Sequence, residues 1–144
     1  MDTILFMVSM AAVFFLYSKL TDAYVAADTQ FISQVIRSPK STIFGFPIGE
    51  ELFFRGLPLL VTDDIFSPAY LGSHLLFTLG HALNYKKRFY LVAPCFAIGA
   101  VSFAHIAVTW GLYMSIIFHV VLNAIDWFSL KRKYARVNER ILYV

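Results

Sequence analysis

Long runs of apolar residues, separated by short polar segments, dominate this sequence. Five of the runs approach the length of about 20 mostly apolar residues that a membrane-spanning helix needs. The segments between them carry most of the charged and helix-ending residues, and a tight turn is predicted near residues 109–111. We therefore predict five spans, which cover residues 3–20, 41–62, 69–85, 89–108 and 111–130.

The two segments at the start of the chain need separate interpretation. Residues 21–40 are polar overall, but Phe31, Val35 and Ile36 give them an apolar face, which predicts a short interfacial helix. The first apolar run has the length of a signal peptide, yet it lacks a preceding basic segment and no convincing cleavage site follows it. We therefore expect it to be a first membrane helix.

Composition supports the membrane assignment. The chain has 144 residues, of which 59% are hydrophobic and 15% are charged, and its mean hydropathy is +0.68. Soluble domains are about 45–50% apolar and about 25% charged. We therefore predict an all-α fold, a polytopic transmembrane helix bundle with about five membrane spans.

The basic residues orient this bundle. Lysine and arginine favour cytoplasmic loops, and the two densest basic clusters, residues 86–88 and 131–133, lie two predicted spans apart, so that both can be cytoplasmic. The acidic turn at residues 63–64 then falls on the opposite side. We expect an integral membrane protein with its N-terminus outside and its C-terminus in the cytoplasm. The net charge is only +3, and we expect the lipid bilayer, and no nucleic acid, as the partner of the basic residues.

Ionisable residues also lie inside the predicted spans. Glu50, Glu51 and Arg55 interrupt an apolar stretch of the second span. Even on lenient insertion scales, a charge at the middle of the bilayer costs at least about 2.5–3.5 kcal/mol. A chain keeps such groups where they face a partner or a wet cavity, so an ionisable residue within a span indicates a functional site.

Helical spacing brings polar residues of three spans to similar depths. Counted from the cytoplasmic ends at about 1.5 Å per residue, four of them lie at overlapping depths of roughly 8–18 Å; they are Glu50, His81, His119 and Asn123. Glu51 and Arg55 are four residues apart and can pair, whereas Glu50 points about 100° away and stays available for chemistry. His119 and Asn123 share one helix face by the same spacing.

Three short motifs occur in order on separate apolar segments. They are Glu-Glu-x-x-x-Arg at residues 50–55, Phe-x-x-x-His at 77–81 and His-x-x-x-Asn at 119–123. Each motif alone is weak, but together they are specific, and they resemble the CPBP family of intramembrane proteases, also called the CAAX protease and bacteriocin-processing, or ABI, family. Gly56 and the stretch at residues 109–113 are similar to the family's local context. The resemblance covers about residues 45–124.

The resemblance implies an intramembrane endopeptidase, a hydrolase that cleaves a peptide bond with an activated water molecule. Glu50 would be the general base, and His81 would hold the same water and shuttle its proton. His119 and Asn123 would donate hydrogen bonds to the tetrahedral oxyanion. The catalytic residues would therefore come from three separate spans.

Other polar residues are expected to support the fold. Glu51 and Arg55 would brace their helix and could orient the substrate backbone. No serine or cysteine has an evident base, because Ser73 and Ser115 are isolated and Cys95 has no adjacent histidine. No motif includes the two remaining histidines, so we expect them to have packing roles or, for the first, to line a cavity; they are His74 and His105.

In this interpretation, residues 1–40 form the first membrane helix and connector, residues 41–130 the CPBP-like catalytic core, and residues 131–144 a basic cytoplasmic tail. Family members usually have further membrane helices before the Glu-Glu motif, whereas one span precedes it here. The substrate class therefore stays open between a prenylated C-terminal tail, a leader peptide and a stub of a membrane protein.

The sequence leaves two other functions and a bound zinc ion as alternatives. The same fold could serve as a non-proteolytic partner-binding or bacteriocin-immunity protein, or the chain could be a small proton-coupled carrier. A carrier usually shows internal repeats, and none is visible. We expect no metal cofactor, because the spacing differs from His-Glu-x-x-His, where both histidines share one helix. A zinc ion would instead be held by Glu50, His81 and His119.

The charge distribution predicts where both termini lie. A reporter fused to the C-terminus should be cytoplasmic and one fused to the N-terminus should lie outside, because the two basic clusters are two spans apart. Accessibility of each reporter to an impermeant reagent in sealed vesicles measures both positions. A C-terminal reporter on the outer side would contradict the orientation and the depths derived from it.

Overall fold

The computed structural model describes residues 6, 8–10, 12–13, 15–17, 19, 29–81 and 89–142. These residues form helices joined by short turns, and no β-strand occurs among them, so the all-α prediction is confirmed. From residue 29 onwards the described helices are α1 (Thr29–Arg37), α2 (residues 41–59), α3 (Pro68–Gly80), α4 (Phe89–Trp110) and α5 (Leu112–Leu142).

Within the described residues, two helices are long and apolar enough to cross a membrane, by length and composition alone. They are Val92–Trp110 and Leu112–Ala135, which coincide with the last two predicted spans. The helix of the third predicted span has 13 residues and ends at Gly80, and residues 82–88 lie outside the described part, as does much of the first predicted span. The count of five spans therefore stays a prediction.

The last helix is longer than predicted. The fifth predicted span ends at residue 130, and α5 continues beyond it through the predicted basic tail to Leu142 as one helix. The physical reason is that residues 131–142 contain no glycine or proline and include five lysine and arginine residues, which favour the helix although they are polar.

The turn between α4 and α5 depends on Gly111. Its φ is +94°, in the left-handed region that glycine adopts without steric cost. A Cβ atom at this position would lie 2.8 Å from the ring of Tyr113. The turn predicted near residues 109–111 is thus confirmed, and it allows α4 and α5 to pack against each other.

The connector before α2 contains the predicted short helix. In α1, Val35 and Ile36 pack against Leu130 of α5. The side chain of Phe31, the third apolar residue of the predicted face, lies outside the described part. The apolar face of α1 is therefore used to hold the connector against the last helix.

Two prolines shape α2. The π-helical segments Ser41–Gly45 and Leu52–Gly56 each end two residues before a proline, which are Pro47 and Pro58. A proline has no N–H, and its ring clashes with the carbonyl four residues earlier. The turn before each proline widens accordingly, and π segments of this kind frequently occur at functional sites.

Hydroxyl groups of α3 bind the carbonyls that precede the second proline. The Tyr70 hydroxyl donates to the Arg55 carbonyl at 3.5 Å, and the Ser73 hydroxyl donates to the Phe54 carbonyl. These bonds replace donors that a regular helix would supply, because buried carbonyls need partners. They also fix α3 beside the centre of α2.

A buried ion pair lies at the centre of the bundle. Glu51 and Arg55 are one helical turn apart, both are 0% exposed, and Arg55 Nη1 lies 3.2 Å from Glu51 Oε1. His119 Nδ1 on α5 lies 2.8 Å from the same oxygen, and the Ser115 hydroxyl donates to Glu51 Oε2. Ser115, which the sequence indicated to be isolated, also has its hydroxyl oxygen 3.0 Å from the Phe103 carbonyl oxygen.

Two further helices enclose the guanidinium of Arg55. It lies 4.4 Å from the ring centroid of Phe77 on α3 and 5.5 Å from that of Phe103 on α4. Its Nη2 donates to the Ala100 carbonyl at 3.5 Å. A desolvated cation over an aromatic face is stabilised by the ring quadrupole. The first two sequence motifs therefore meet in space, since Arg55 belongs to one and Phe77 to the other.

Removing the charge of Glu51 should mainly lower stability. In Glu51→Gln, Arg55 would keep a buried charge without its counter-ion, and breaking a buried pair in this way costs about 3–5 kcal/mol. The measurement is the free energy of unfolding in detergent. Ser115→Ala is the matched control, because it removes one neutral donor from the same carboxylate and should cost about 1 kcal/mol. Equal stability of Glu51→Gln and the wild type would contradict a structural role for the pair.

Candidate active site

A cavity of about 680 Å³ lies between the helices, and its lining includes all four polar residues that the sequence placed at similar depths. Side chains of every described helix and of the N-terminal segment contribute to the lining. The buried pair Glu51 and Arg55 is not part of the lining and lies behind it. The structure therefore separates the residues into a set that a substrate could reach and a set that supports it.

Glu50 is the carboxylate that faces the cavity. Its side chain is 25% exposed, Oε2 lies 3.7 Å from His119 Nε2, and Oε1 lies 4.0 Å from His81 Nε2. These distances are somewhat longer than a direct hydrogen bond, as is common in catalytic sites without a bound substrate. Glu50 is thus flanked by two imidazoles, each with one nitrogen directed at it.

The orientation of His81 is set by the end of α3. Its Nδ1 lies 2.7 Å from the Phe77 carbonyl, one of the carbonyls that a helix end leaves without a backbone donor. Because a carbonyl only accepts, Nδ1 carries the proton, and in the neutral ring Nε2 presents a lone pair to Glu50. The ring stacks on Phe96, with centroids 4.2 Å apart and an interplanar angle of 27°.

His119 is held in a similar way from α5. Its Nδ1 donates to Glu51 Oε1 at 2.8 Å, which fixes the proton on that nitrogen and directs Nε2 at Glu50. The ring stacks on Phe103, with centroids 4.6 Å apart and an interplanar angle of 21°. One histidine therefore connects both members of the Glu-Glu motif.

Asn123 lies one turn beyond His119 and bonds to α2. Its Nδ2 donates to the Thr42 carbonyl at 3.0 Å. Thr42 lies in the π segment before Pro47, which has no N–H to offer to the preceding turn. The amide of Asn123 replaces such a donor, and its second N–H remains for another acceptor.

The remaining histidines lie outside the cavity lining. His74 Nε2 lies 3.2 Å from the Ile65 carbonyl, and its ring contacts Tyr70. The ring of His105 packs against Phe6, with centroids 5.3 Å apart. Both have the packing roles expected of them. Cys95 is a buried free thiol that borders the cavity.

Some residues of the site were missed by sequence reasoning. Ser115 is four residues before His119, so helical spacing could have placed it beside the Glu51 carboxylate. Phe96 and Phe103, which support the two imidazoles, carry no signal in the sequence because aromatic residues are frequent in every span. Asp126 also lines the cavity and was overlooked, although it is a carboxylate within the fifth predicted span.

A metal ion would need three or more ligand side chains grouped around one point. Among the described residues, no group of three or more His, Cys, Asp or Glu side chains has the arrangement of a metal site. Of the ligands expected for a zinc ion, His81 and His119 nevertheless both lie near Glu50, at 4.0 and 3.7 Å. The metal-free mechanism stays a prediction.

The comparison with protein families identifies the chain. Residues 34–125, more than half of the sequence, match the family described as type II CAAX prenyl endopeptidase Rce1-like. The matched range contains the four residues that the sequence placed at similar depths and the buried pair behind them. Comparisons with curated proteins and with solved structures gave no match. The match confirms the resemblance indicated by the three motifs, and the chain belongs to the Rce1-like family of type II CAAX prenyl endopeptidases.

Proposed function

We propose that this protein is an intramembrane endopeptidase that hydrolyses a peptide bond with a water molecule activated by Glu50. The observation that carries the proposal is the convergence of Glu50, His81 and His119 on one cavity, with both imidazole Nε2 atoms directed at the same carboxylate. Family membership supports a hydrolase that acts on peptide bonds. No serine or cysteine nucleophile with a base is needed in this scheme.

The two adjacent glutamates have different roles. Both oxygens of Glu51 accept hydrogen bonds from buried donors, so this carboxylate does not meet water. Glu50 is partly exposed in the cavity and is the group that can take a proton from a water molecule as that water attacks the scissile carbonyl. The proton then passes to the leaving nitrogen as the C–N bond breaks.

His81 positions the attacking water. Its Nδ1 proton is engaged by the Phe77 carbonyl, so the lone pair of Nε2 can accept a hydrogen bond from the same water that Glu50 deprotonates. Glu50 and His81 would each accept one hydrogen of the water, which leaves a lone pair of its oxygen directed at the substrate. This geometry also allows His81 to relay the proton towards the leaving amine.

His119 and Asn123 provide the donors for the oxyanion. Because Nδ1 of His119 is bound to Glu51, donation to the oxyanion would come from Nε2, and this requires a proton on each ring nitrogen. Donors fixed before the reaction stabilise developing charge without reorganisation.

The family description and the side chains that line the cavity indicate a class of substrate. The family suggests a prenylated C-terminal tail, and the lining includes apolar side chains such as Met10, Val13 and Phe46 beside the polar site. A leader peptide or a membrane-protein stub would use the same chemistry. In the proposed topology the protein is embedded in the membrane with its C-terminus in the cytoplasm.

Replacing the base should abolish cleavage. Glu50→Gln keeps the shape of the side chain but cannot accept a proton, so the rate should fall by at least the ~10²–10⁴-fold typical of general-base loss. The measurement is cleavage of a reporter peptide by purified protein. His105→Gln, outside the cavity, is the control and should keep its activity. Full activity of Glu50→Gln would eliminate the proteolytic function.

Removing Asn123 should slow the chemical step. Asn123→Ala loses an oxyanion donor and should lower kcat about 10²–10³-fold with little change in KM. The same variant also leaves the Thr42 carbonyl without its donor. Adding Pro47→Ala restores a backbone N–H in this turn, so recovery of kcat in the double variant would show that the loss came from helix packing and would contradict the oxyanion role.

Chelators should have little effect on cleavage. The proposed mechanism uses a carboxylate and imidazoles alone, so EDTA should leave kcat/KM within about twofold of its starting value, a change well below the tenfold that 1.4 kcal/mol represents. The measurement is the same reporter assay with and without chelator. Inhibition that zinc reverses would retain proteolysis but would make Glu50, His81 and His119 metal ligands.

A further inference from the structure

Asp126 is a carboxylate in the cavity that the proposed mechanism does not use. It lies within the apolar helix Leu112–Ala135 and borders the cavity. An ionisable residue in a span indicates a functional site, because its burial costs free energy that some role must offset. The proposed mechanism uses Glu50 and Glu51 and has no step for Asp126, so another role for this carboxylate must be sought in the cavity.

Asp126 shares a face of α5 with the catalytic residues. It is seven residues beyond His119 and three beyond Asn123, spacings that lie on the same side of a helix. At about 1.5 Å per residue, its Cα lies roughly 10 Å along the helix axis from that of His119. An extended peptide covers the same distance in about three residues.

Contacts on both sides of Asp126 place it beside α1 and the start of α2. Asn123 bonds to Thr42, and Leu130 packs against Val35. Three exposed polar residues between or beside these contacts in the chain also line the cavity: Gln34, Ser38 and Ser41. Lys133, two turns further along α5, attracts the Asp126 carboxylate electrostatically. A carboxylate near hydroxyl and amide groups suits a ligand with several N–H donors.

The charge of the lining points to a cation. Glu50 and Asp126 are carboxylates, and no lysine or arginine is among the described residues that line the cavity. Arg37, Lys40 and Lys131 are next to lining residues in sequence but are exposed and do not line it. Solvent screens the repulsion between these exposed residues and a bound cation. The attraction of the cation to the carboxylates inside the cavity is screened less.

We propose that Asp126, with Gln34, Ser38 and Ser41, forms a subsite for a lysine or arginine side chain of the substrate, located roughly two to four residues from the scissile bond. The inference rests on the proposed proteolytic function and adds a specificity determinant to it. A neutral side chain would leave the carboxylate without a cation inside the cavity, and an acidic side chain would be repelled. The subsite would therefore favour basic over neutral and neutral over acidic residues.

The test varies one residue of a reporter peptide. After mass spectrometry has located the cut, lysine, glutamine and glutamate are placed in turn at the second, third and fourth residue on each side. At one of these positions, the wild type should cleave the lysine peptide about tenfold or more faster than the glutamine peptide, as expected for a hydrogen bond to a charged group. The glutamate peptide should be the poorest substrate.

Substitutions at Asp126 should change the order of cleavage rates among the lysine, glutamine and glutamate peptides. Asp126→Asn should remove the preference for lysine, and Asp126→Lys should reverse it in favour of glutamate. Asp63→Asn, in an exposed turn, is the matched control and should keep the wild-type order. Lys133→Gln should keep it as well. An unchanged order in Asp126→Asn, or the same loss in Lys133→Gln, would overturn the subsite.

A binding measurement separates this proposal from the proteolytic one. In the Glu50→Gln background, labelled lysine peptide should bind about tenfold or more tightly than glutamine peptide, and adding Asp126→Asn should remove the difference. Binding preference without cleavage by the wild type would retain the subsite and reject proteolysis. Cleavage with equal rates for all three peptides would retain proteolysis and reject the subsite, and neither cleavage nor preference would reject both.

Discussion

The buried carboxylate of Glu51 is the interaction on which the rest of the site depends. It binds Arg55 on its own helix and His119 on α5, and Arg55 in turn lies against Phe77 of α3 and Phe103 of α4. Removing two charges from water costs several kcal/mol for each ion, and this cost is offset only while the partners keep their places. Four helices are therefore held around one ion pair, and the orientation of the His119 ring follows from it.

The adjacent residues Glu50 and Glu51 of α2 face different surroundings. Adjacent residues of a helix point about 100° apart, so Glu51 faces the buried interior while Glu50 faces the cavity. His119 lies between them and has one nitrogen on each. Of the two adjacent glutamates, Glu51 thus fixes the proton of His119 on Nδ1. Glu50 is partly exposed and is the carboxylate that water in the cavity can reach.

The prolines of α2 connect local chain chemistry to tertiary contacts. Pro47 and Pro58 remove backbone donors from the helix, and side chains from neighbouring helices supply replacements, among them Asn123 and Ser73. A helix without these prolines would have no need of such partners. The π segments before them lie on both sides of the Glu-Glu motif, so the irregular backbone and the polar site occupy the same part of the bundle.

The sequence by itself determined the helical class, the turn at Gly111 and the common depth of Glu50, His81 and His119, because hydrophobic runs, glycine conformation and helical rise are local properties of the chain. The family followed from three motifs in order, which also needs no structure. Only the tertiary structure decided that the paired glutamate also binds α5, that Asn123 bonds to α2 across the bundle, and that Asp126 opens onto the same cavity. These contacts depend on how each helix is rotated about its axis against its neighbours, and residue spacing within one helix carries no information on that rotation.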